Sequence, residues 1–388
     1  MRIAVLNITG GGMSGGYRKY LHNIIPRMAV HPDIEAILCT FPKSLNGRDW
    51  FDNLTNVEFA HSSLSQPLRN GISHNLKQAL RRFCPDVLFI PTAQYLKFKD
   101  IAVVNMVRNM EPFDYSGGKN PFSEKIRNFV RRKTASNAVR KSQRVIALSN
   151  YVKRFLIDNL NIPENKISVV YHGIQHDESF NCVKPSTVPD SWKGNFLFTA
   201  GSIRPARGLE DILYALKHLD AEKFDINLLI AGATAPNMLP YLNSLKAKIA
   251  EFGLQRKIIW TGSLNHEQMN WCHKNCLLFV MTSRVEAYAM IAFEAISRGS
   301  ICITSDNSVL PEVFRNAAVY YPAKNSRLLA KTIRSTLGWS DRQRNVMYEL
   351  MRKRAAEFPS WEETVDKTVK ELKFAIEKNS HKETNTGD

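Results

Sequence analysis

The sequence lacks the features of a membrane-spanning or secreted chain. None of its apolar runs approaches the roughly 18 residues that a spanning helix needs. The amino-terminal stretch MRIAVLN contains an apolar run of four residues, IAVL, which is shorter than the apolar segment of about 7–15 residues that a signal peptide carries. Six cysteines scattered over 388 residues do not form the dense pattern of a disulfide framework. We therefore expect a cytoplasmic protein.

Metal-ligating patterns are also scarce. Cys272, His273 and Cys276 form one tight group, but a zinc site would need a second pair of ligands nearby. Ordinary thiols beside a buried strand are the favoured interpretation.

Acidic residues are few compared with basic ones. The chain carries 53 Lys+Arg and 36 Asp+Glu, which gives a net charge of +17. Such an excess indicates an anionic partner, which could be nucleic acid, a membrane surface or a phosphorylated ligand.

The basic excess is concentrated in Lys119–Arg154, where Glu124 is the sole acidic residue. Apolar side chains at helical spacing alternate there with basic ones: Phe122, Ile126, Phe129 and Val130 with Lys125, Arg127, Arg131, Arg132 and Lys133. A basic amphipathic segment is typical of a helix that lies on a membrane surface. Nucleic-acid binding and a simply solvated helix face are the alternatives.

Short β-branched runs alternate with helical patterns along nearly the whole chain. This alternation predicts parallel sheets that are covered on both faces. The stretch Asp177–Lys193 interrupts it with Pro185, Pro189 and polar residues, as a linker does. The prediction is an α/β protein of two doubly wound, Rossmann-like domains that face each other across a cleft.

The first glycine-rich loop, Gly10–Gly15, matches the pattern G-x-G-x-x-G between a predicted strand and a predicted helix. A dinucleotide fingerprint would also place an acidic residue at the end of the second strand, but that strand ends Leu38-Cys39-Thr40. We therefore favour a loop whose backbone amides approach a phosphate or a sugar. A tight turn without any ligand is the alternative.

A second loop, Gly201–Gly208, carries Arg204 and Arg207 between a predicted strand and a predicted helix. This arrangement suits a diphosphate, because guanidinium groups bind phosphate oxygens through charge-assisted and often bidentate hydrogen bonds. A solvated loop would also carry arginines, so position alone does not decide between the two.

Two carboxylates follow the predicted strand Leu277–Met281. Glu286 lies in the loop after the strand, and Glu294 lies eight positions later on a helix. At ~1.5 Å per residue they are separated by roughly 12 Å along the axis, which one extended polar ligand could bridge. Either residue taken alone could be a structural acid.

Together these motifs resemble those of a known family. Glu286 and Glu294 are followed by EAISRG from Glu294, TSD from Thr304 and LPEV from Leu310. Further matching segments are the Gly201–Gly208 loop, VIALSNYV from Val145, VVYHGI from Val169 and FPSWE from Phe358. The chain resembles the retaining, nucleotide-sugar-dependent glycosyltransferases of family 4, which have the two-domain GT-B fold.

The resemblance implies roles for the matching residues. Glu294 would hold the nucleotide ribose, Glu286 would contact the transferred sugar and act in catalysis, and Arg207 with Arg204 would neutralise the diphosphate leaving group. The other donor-binding residues that it implies are Gly15, Gly16, Gly201, Ser202, Gly262, Leu264, Tyr288, Ala289, Met290 and Ile291.

The resemblance also places the domain limits. The predicted segments are residues 1–180 for the acceptor-side domain, 181–194 for a linker, 195–360 for the nucleotide-sugar-binding domain, 361–378 for a helix that crosses back to the first domain, and 379–388 for a polar tail.

Three positions depart from the family pattern. Arg108 stands where many members have a histidine, and we expect it to contact phosphate or acceptor. Ser202 replaces a basic residue, and Ala289 replaces a glycine. The chain also lacks the Asp-x-Asp pair of metal-using relatives that have another fold, so we expect neither a metal nor another cofactor.

The predicted function is metal-independent transfer of a hexose from a nucleotide-diphosphate sugar to a glycan or lipid-linked acceptor. It would serve lipopolysaccharide O-antigen or exopolysaccharide synthesis, with the protein at the anionic inner face of the inner membrane. The alternatives are a GT-B sugar-nucleotide epimerase and a non-catalytic nucleic-acid-binding protein.

Overall fold

The structure is a computed structural model that describes residues 1–8, 15–42, 50–51, 54–62, 73–98, 100–114, 120, 122–174, 181–307 and 309–384. The predicted glycine loop before Gly15 lies outside these residues. The chain forms two compact units. The first comprises Met1–Asn109, Val130–Gln175 and Pro359–Asp388, and the second comprises Met110–Phe129 and His176–Phe358.

The first unit contains a parallel sheet of seven strands. They are β1 (Arg2–Leu6), β2 (Ala36–Pro42), β3 (Val57–Ser62), β4 (Val87–Ile90), β5 (Ala102–Val107), β6 (Arg144–Ala147) and β7 (Ile167–Val169). Their order across the sheet is β3-β2-β1-β4-β5-β6-β7. Every residue of β4 and β5 is buried, as expected of parallel strands that are covered on both faces.

The second unit contains a parallel sheet of six strands. They are β8 (Phe196–Ala200), β9 (Asn227–Ala231), β10 (Ile258–Gly262), β11 (Leu278–Met281), β12 (Cys302–Ser305) and β13 (Val319–Tyr321). Their order is β10-β9-β8-β11-β12-β13, so the direction of winding reverses between β8 and β11. Doubly wound sheets bind ligands beside the carboxyl ends of the strands at such a reversal.

Thirteen α-helices lie between the strands or follow the last one in the described part of the chain. They are α1 (Gly15–Ala29), α2 (His74–Phe83), α3 (Glu111–Asp114), α4 (Phe122–Lys141), α5 (Asn150–Leu160), α6 (Leu209–Ala221), α7 (Leu239–Glu251), α8 (His266–Asn275), α9 (Met290–Ser297), α10 (Leu310–Phe314), α11 (Ser326–Leu337), α12 (Asp341–Ala356) and α13 (Trp361–Thr384). Within the described residues, no helix combines the length and apolarity needed to cross a bilayer.

Side-chain caps fix several helix starts. Ser149 begins α5, where its hydroxyl accepts a hydrogen bond from the Val152 amide at 3.2 Å. Asn265 and Gln268 form a reciprocal capping box at the start of α8. Such caps satisfy amides that have no partner within the helix.

The segment Met110–Phe129 belongs to the second unit, although the predicted first domain runs to residue 180. Two buried carboxylates of this segment have partners elsewhere in the second unit. Glu111 pairs with Arg204 at 2.7 Å, and Glu124 accepts a hydrogen bond from Asn237 at 3.0 Å. Buried carboxylates need such partners, so these contacts tie the segment to the second sheet.

The last helix is longer than the predicted 361–378. It continues to Thr384, so the first part of the predicted tail at 379–388 is helical. The stretch NSHKET from Asn379 contains neither glycine nor proline, and Asn379 donates a hydrogen bond to the Asp100 carbonyl oxygen. The helix therefore has a contact that favours its continuation.

Candidate functional site

The candidate site of the second unit lies at the carboxyl ends of β8 and β11. The loop 201–208 follows β8, and the loop 282–289 follows β11. A small pocket between these loops is lined by Thr199, Gly201, Arg207, Thr282 and Ser283, among others. Both predicted charged motifs therefore lie at the reversal point of this sheet.

Two close backbone approaches shape the loop Gly201–Gly208, which we call the arginine loop. A Cβ on Gly232, where φ is +151°, would lie 1.8 Å from the Gly201 carbonyl oxygen. A Cβ on Gly208, where φ is +61°, would lie 2.3 Å from the Thr282 carbonyl oxygen. Because backbone atoms cannot move aside at low cost, both positions require glycine.

Arg207 and Glu286, which have separate predicted roles, form an ion pair with each other. Glu286 also accepts a hydrogen bond from the Ser283 hydroxyl at 3.0 Å. The Arg207 side chain is 24% exposed and that of Glu286 is 14% exposed, so the pair is partly open to solvent. An anionic ligand that reached Arg207 would compete with Glu286 for the guanidinium group.

Helix α9 begins directly after the loop 282–289, which contains Glu286. Ala289 precedes the helix with φ +60° and ψ +56°, a left-handed conformation that costs a non-glycine residue roughly 1–2 kcal/mol. Met290 and Ile291 form the first turn, where backbone amides have no acceptor inside the helix. These amides are donors suited to an anion.

Glu294 lies on the same helix and is half-buried. The helix starts at Met290, so only the second half of the interval from Glu286 to Glu294 is helical. The 12 Å separation predicted from helical rise therefore does not apply. Tyr288 is buried and its ring stacks on Phe293 with centroids 4.5 Å apart, which places this tyrosine in the packing beneath the loop.

A second ion pair, which the sequence did not predict, supports the loop after β11. Both terminal nitrogens of Arg284 donate to the Asp211 carboxylate at 2.5 Å. Asp211 also accepts from the Tyr321 hydroxyl at 3.0 Å and the Lys324 amide at 2.9 Å. Burial acts to lower the pKa of Arg284, but the Asp211 carboxylate outweighs it and raises that pKa above its usual value.

Arg204, the other arginine of the loop 201–208, pairs with Glu111 at 2.7 Å. Glu111 is 3% exposed and comes from a short helix far away in the sequence. No motif at Glu111-Pro112-Phe113 indicates this contact. Ser202, in the same loop as Arg204, is exposed.

The predicted nucleobase turn lies at the end of β10. Gly262 has φ +69°, and its carbonyl oxygen accepts from the Gly232 amide at 2.7 Å. Gly262 is exposed and Leu264 is half-buried. The turn is thus linked through Gly232 to Gly201 in the arginine loop.

Two family models match the chain in consecutive segments. The model described as Glycosyltransferase Family 4 matches residues 15–178, and the model described as Glycosyl transferases group 1 matches residues 189–354. The chain belongs to the family 4 glycosyltransferases. The second match contains the charged residues of the candidate site.

Relatives and solved structures agree with this family. The chain is 25% identical to the glycosyltransferase MJ1607 of Methanocaldococcus jannaschii over 248 residues, 61% of each chain. It is 21% identical to the O-antigen chain mannosyltransferase RfbU of Salmonella typhimurium over 214 residues, 55% of each chain. The chain thus spans 61% or less of these two relatives. The structure of Anabaena HepE in complex with UDP and glucose covers 96% of this chain and 99% of its own, with a TM-score of 0.73 and 16% identity, which shows the GT-B fold.

The remaining predicted residues of this family 4 glycosyltransferase lie elsewhere. Gly15 and Gly16 begin α1 of the first unit and are exposed. Arg108 follows β5 of the same unit, where its Nε donates to the Pro91 carbonyl oxygen at 2.8 Å.

Helix α4 exposes the predicted amphipathic face. Phe122 is 79% exposed and Phe129 is 59% exposed, and Ile126 and Val130 are also exposed. Lys125, Arg127, Arg132 and Lys133 are exposed and Arg131 is partly exposed. Arg127 pairs with Glu124 at 3.2 Å, so its charge is partly neutralised.

The cysteine group lies beneath β11 and β12. Burial raises the pKa of Cys272 and of Cys276 to about 12, so both thiols are protonated at neutral pH. His273 lies 3.1 Å from the Ser300 hydroxyl. Across the described ranges no group of three His, Cys, Asp or Glu side chains is arranged to hold a metal ion.

Proposed function

We propose that the chain transfers a hexose from a nucleotide-diphosphate sugar to a glycan or lipid-linked acceptor, with retention, in surface polysaccharide synthesis. The observation that carries this proposal is the Arg207–Glu286 ion pair beside the first turn of α9. RfbU, a relative, is an O-antigen chain mannosyltransferase, and HepE, which shares the fold, was crystallised with UDP and glucose. The first supports a polysaccharide role, and the second supports a nucleotide-sugar donor.

The chemistry of the transfer accounts for the charges at this site. Negative charge builds up on the departing diphosphate while positive charge builds up at the sugar carbon. Arg207 and the amides of Met290 and Ile291 would stabilise the diphosphate, because fixed donors aimed at a developing charge lower the barrier. Glu286, released from Arg207, would then accept hydrogen bonds from sugar hydroxyls.

Glu294 would hold the ribose hydroxyls of the nucleotide, since a carboxylate accepts two such bonds at once. A thermal-shift panel of nucleoside diphosphates and nucleotide sugars tests this. One base is expected to raise the melting temperature of the wild type, because a ligand that binds only the folded state stabilises it.

In the same panel Glu294→Ala is expected to lose most of the shift. Glu251→Ala, which removes an exposed glutamate of α7, should keep it. A wild type that responds to no nucleotide contradicts the proposed donor, and a Glu294→Ala variant with the full shift contradicts the ribose role.

We also propose that the transfer needs no divalent cation. Arg207 and the helix amides supply the positive charge that a metal ion would otherwise supply. Turnover in EDTA is therefore expected to equal turnover in magnesium or manganese. Activity that EDTA abolishes and either ion restores would refute this proposal.

The exposed face of α4 is proposed to bind the anionic inner leaflet of the inner membrane from the cytoplasm. Exposed aromatic rings would enter the interface while the lysines and arginines meet lipid headgroups. At physiological salt the protein is expected to sediment with vesicles containing phosphatidylglycerol and not with phosphatidylcholine vesicles.

Charge reversal tests the membrane proposal directly. Lys125→Glu, Arg132→Glu and Lys133→Glu together are expected to abolish sedimentation. A matched triple reversal at Lys246, Lys331 and Lys353, which are exposed in the second unit, should leave sedimentation intact. Equal loss in both triple variants would show that net charge, rather than this face, is responsible.

A further inference from the structure

An unusual group of aromatic and basic side chains lies at the carboxyl edge of the first sheet. It consists of Tyr17 and Tyr20 on α1, Arg108 after β5, His172 after β7 and Trp361 on α13. We call it the edge cluster. The rings of Tyr20 and His172 have centroids 4.5 Å apart, and those of His172 and Trp361 are 5.9 Å apart. Sequence motifs alone did not bring these residues together.

Arg108 is held firmly within the edge cluster. The central carbon of its guanidinium group lies 3.3 Å from the centre of the Tyr17 ring, and its Nε donates to the Pro91 carbonyl oxygen at 2.8 Å. Tyr17 is itself fixed by a hydrogen bond from its hydroxyl to Asn7. Arg108 remains partly exposed, so a ligand can reach it.

No carboxylate of the described residues pairs with Arg108. Two other arginines of low exposure do have such partners: Arg144 lies 2.5 Å from Glu371 and Arg284 lies 2.5 Å from Asp211. A desolvated cation without a carboxylate is costly. The cation–π contact with Tyr17 offsets part of this cost, but it leaves the two terminal nitrogens without a carboxylate acceptor.

The other titratable groups of the edge cluster do not supply a counter-charge. Burial and the nearby Arg108 lower the pKa of His172 to about 3, so the imidazole is neutral at physiological pH. Burial raises the pKa of Tyr17 and of Tyr20, so both phenols stay protonated. Arg108 is therefore the single charge of this cluster.

A second unsatisfied group lies in the same cluster. The Tyr20 hydroxyl is buried and has no hydrogen-bond partner among the residues that the structure describes. The Tyr20 ring lies beside that of Tyr17, with centroids 6.3 Å apart. A cation and a hydroxyl donor, both short of acceptors, match a ligand that carries anionic oxygens.

Resting on the proposed glycosyl transfer, we propose that Arg108 binds an anionic oxygen group, phosphate or carboxylate, of one of the two substrates. The ring of Tyr17 orients the guanidinium plane, so that its two terminal nitrogens can donate in parallel to one such group. The group belongs either to the donor, as its diphosphate, or to the acceptor.

The test uses the full chain and two probes, and it compares wild type, Arg108→Gln and the control Arg154→Gln, which changes an exposed arginine of α5. In the first arm the protein is saturated with the nucleoside diphosphate that stabilises it, and inorganic phosphate is added. If the anion comes from the acceptor, phosphate raises the melting temperature further in wild type and control but not in Arg108→Gln.

In the second arm the dissociation constants of nucleoside mono- and diphosphate are measured by calorimetry. If the anion is the donor diphosphate, the wild type binds the diphosphate more tightly than the monophosphate, and the ratio of the two dissociation constants is expected to fall about tenfold in Arg108→Gln. This is the scale of one charge-assisted hydrogen bond. Arg108→Lys keeps the charge without the bidentate geometry, so it should retain part of the melting shift in the first arm or of the diphosphate preference in the second. If Arg108→Gln does not fold, Arg108→Lys takes its place.

Identical behaviour of wild type and Arg108→Gln in both arms would overturn this inference. A different result, a wild type that binds no nucleotide, would contradict the proposed function. In that case the phosphate arm is run without nucleotide, and an Arg108-dependent shift would still support the anion site.

Discussion

Arg207→Ala is expected to lower kcat by about 10²–10³-fold, the effect of removing one preorganised donor from a developing negative charge. Arg207 pairs directly with Glu286, the carboxylate proposed to act in catalysis. Its loss would remove the charge proposed to stabilise the leaving diphosphate and would leave Glu286 with one fewer donor. KM for the donor is expected to change less than kcat, because the charge develops as the bond breaks.

Steady-state rates with the donor identified by the thermal-shift panel provide the measurement. Arg207→Lys should recover part of the lost rate, because it restores the charge without the bidentate geometry. The control is Arg334→Ala, which removes an arginine from a surface ion pair with Glu222 and should leave kcat unchanged. A kcat of Arg207→Ala within about twofold of wild type would show that Arg207 does not stabilise the transition state.

The alternation of apolar runs was enough to predict two parallel sheets, because buried parallel strands are continuously apolar. The apolar run VLFI predicts a strand at Val87–Ile90, and β4 has these bounds. By contrast, β3 (Val57–Ser62) was not predicted, and neither was α2 (His74–Phe83). The strand carries Glu58 and His61 and, among the described residues, lies at the edge of the sheet with β2 as its one neighbour. An edge strand of this kind lacks the apolar run that identifies a central one.

Motifs located the candidate site but not the contacts that hold it. Each charged motif follows a strand, so the topology alone brings both motifs to one edge of the sheet. The partners of the arginines were beyond prediction, because Glu111 and Asp211 lie far from Arg204 and Arg284 in sequence and carry no motif. Which carboxylate meets which arginine depends on packing, and one sequence does not encode that in its spacing.

Asp211→Ala is expected to have the largest effect on stability, with a loss of about 3–5 kcal/mol in the free energy of unfolding of the second unit. The side chains of Asp211 and Arg284 are 6% and 11% exposed. Removing the carboxylate therefore leaves a buried guanidinium group without a counter-charge. It also deprives the Tyr321 hydroxyl and the Lys324 amide of their acceptor. The loop after β11 should loosen, and nucleotide binding should weaken with it.

Urea unfolding followed by tryptophan fluorescence measures this loss, because four of the six tryptophans lie at positions 192, 260, 271 and 339 of the second unit. Asp225→Ala, which breaks the exposed contact with Lys257, is the control and should change stability little, since exposed pairs contribute little. The double variant Asp211→Ala with Arg284→Met should regain part of the lost stability, because it no longer buries an unpaired charge. A double variant that is less stable than Asp211→Ala alone would show that Arg284 stabilises the unit through contacts other than this ion pair. The unpaired charge would then not explain the lower free energy of unfolding of Asp211→Ala.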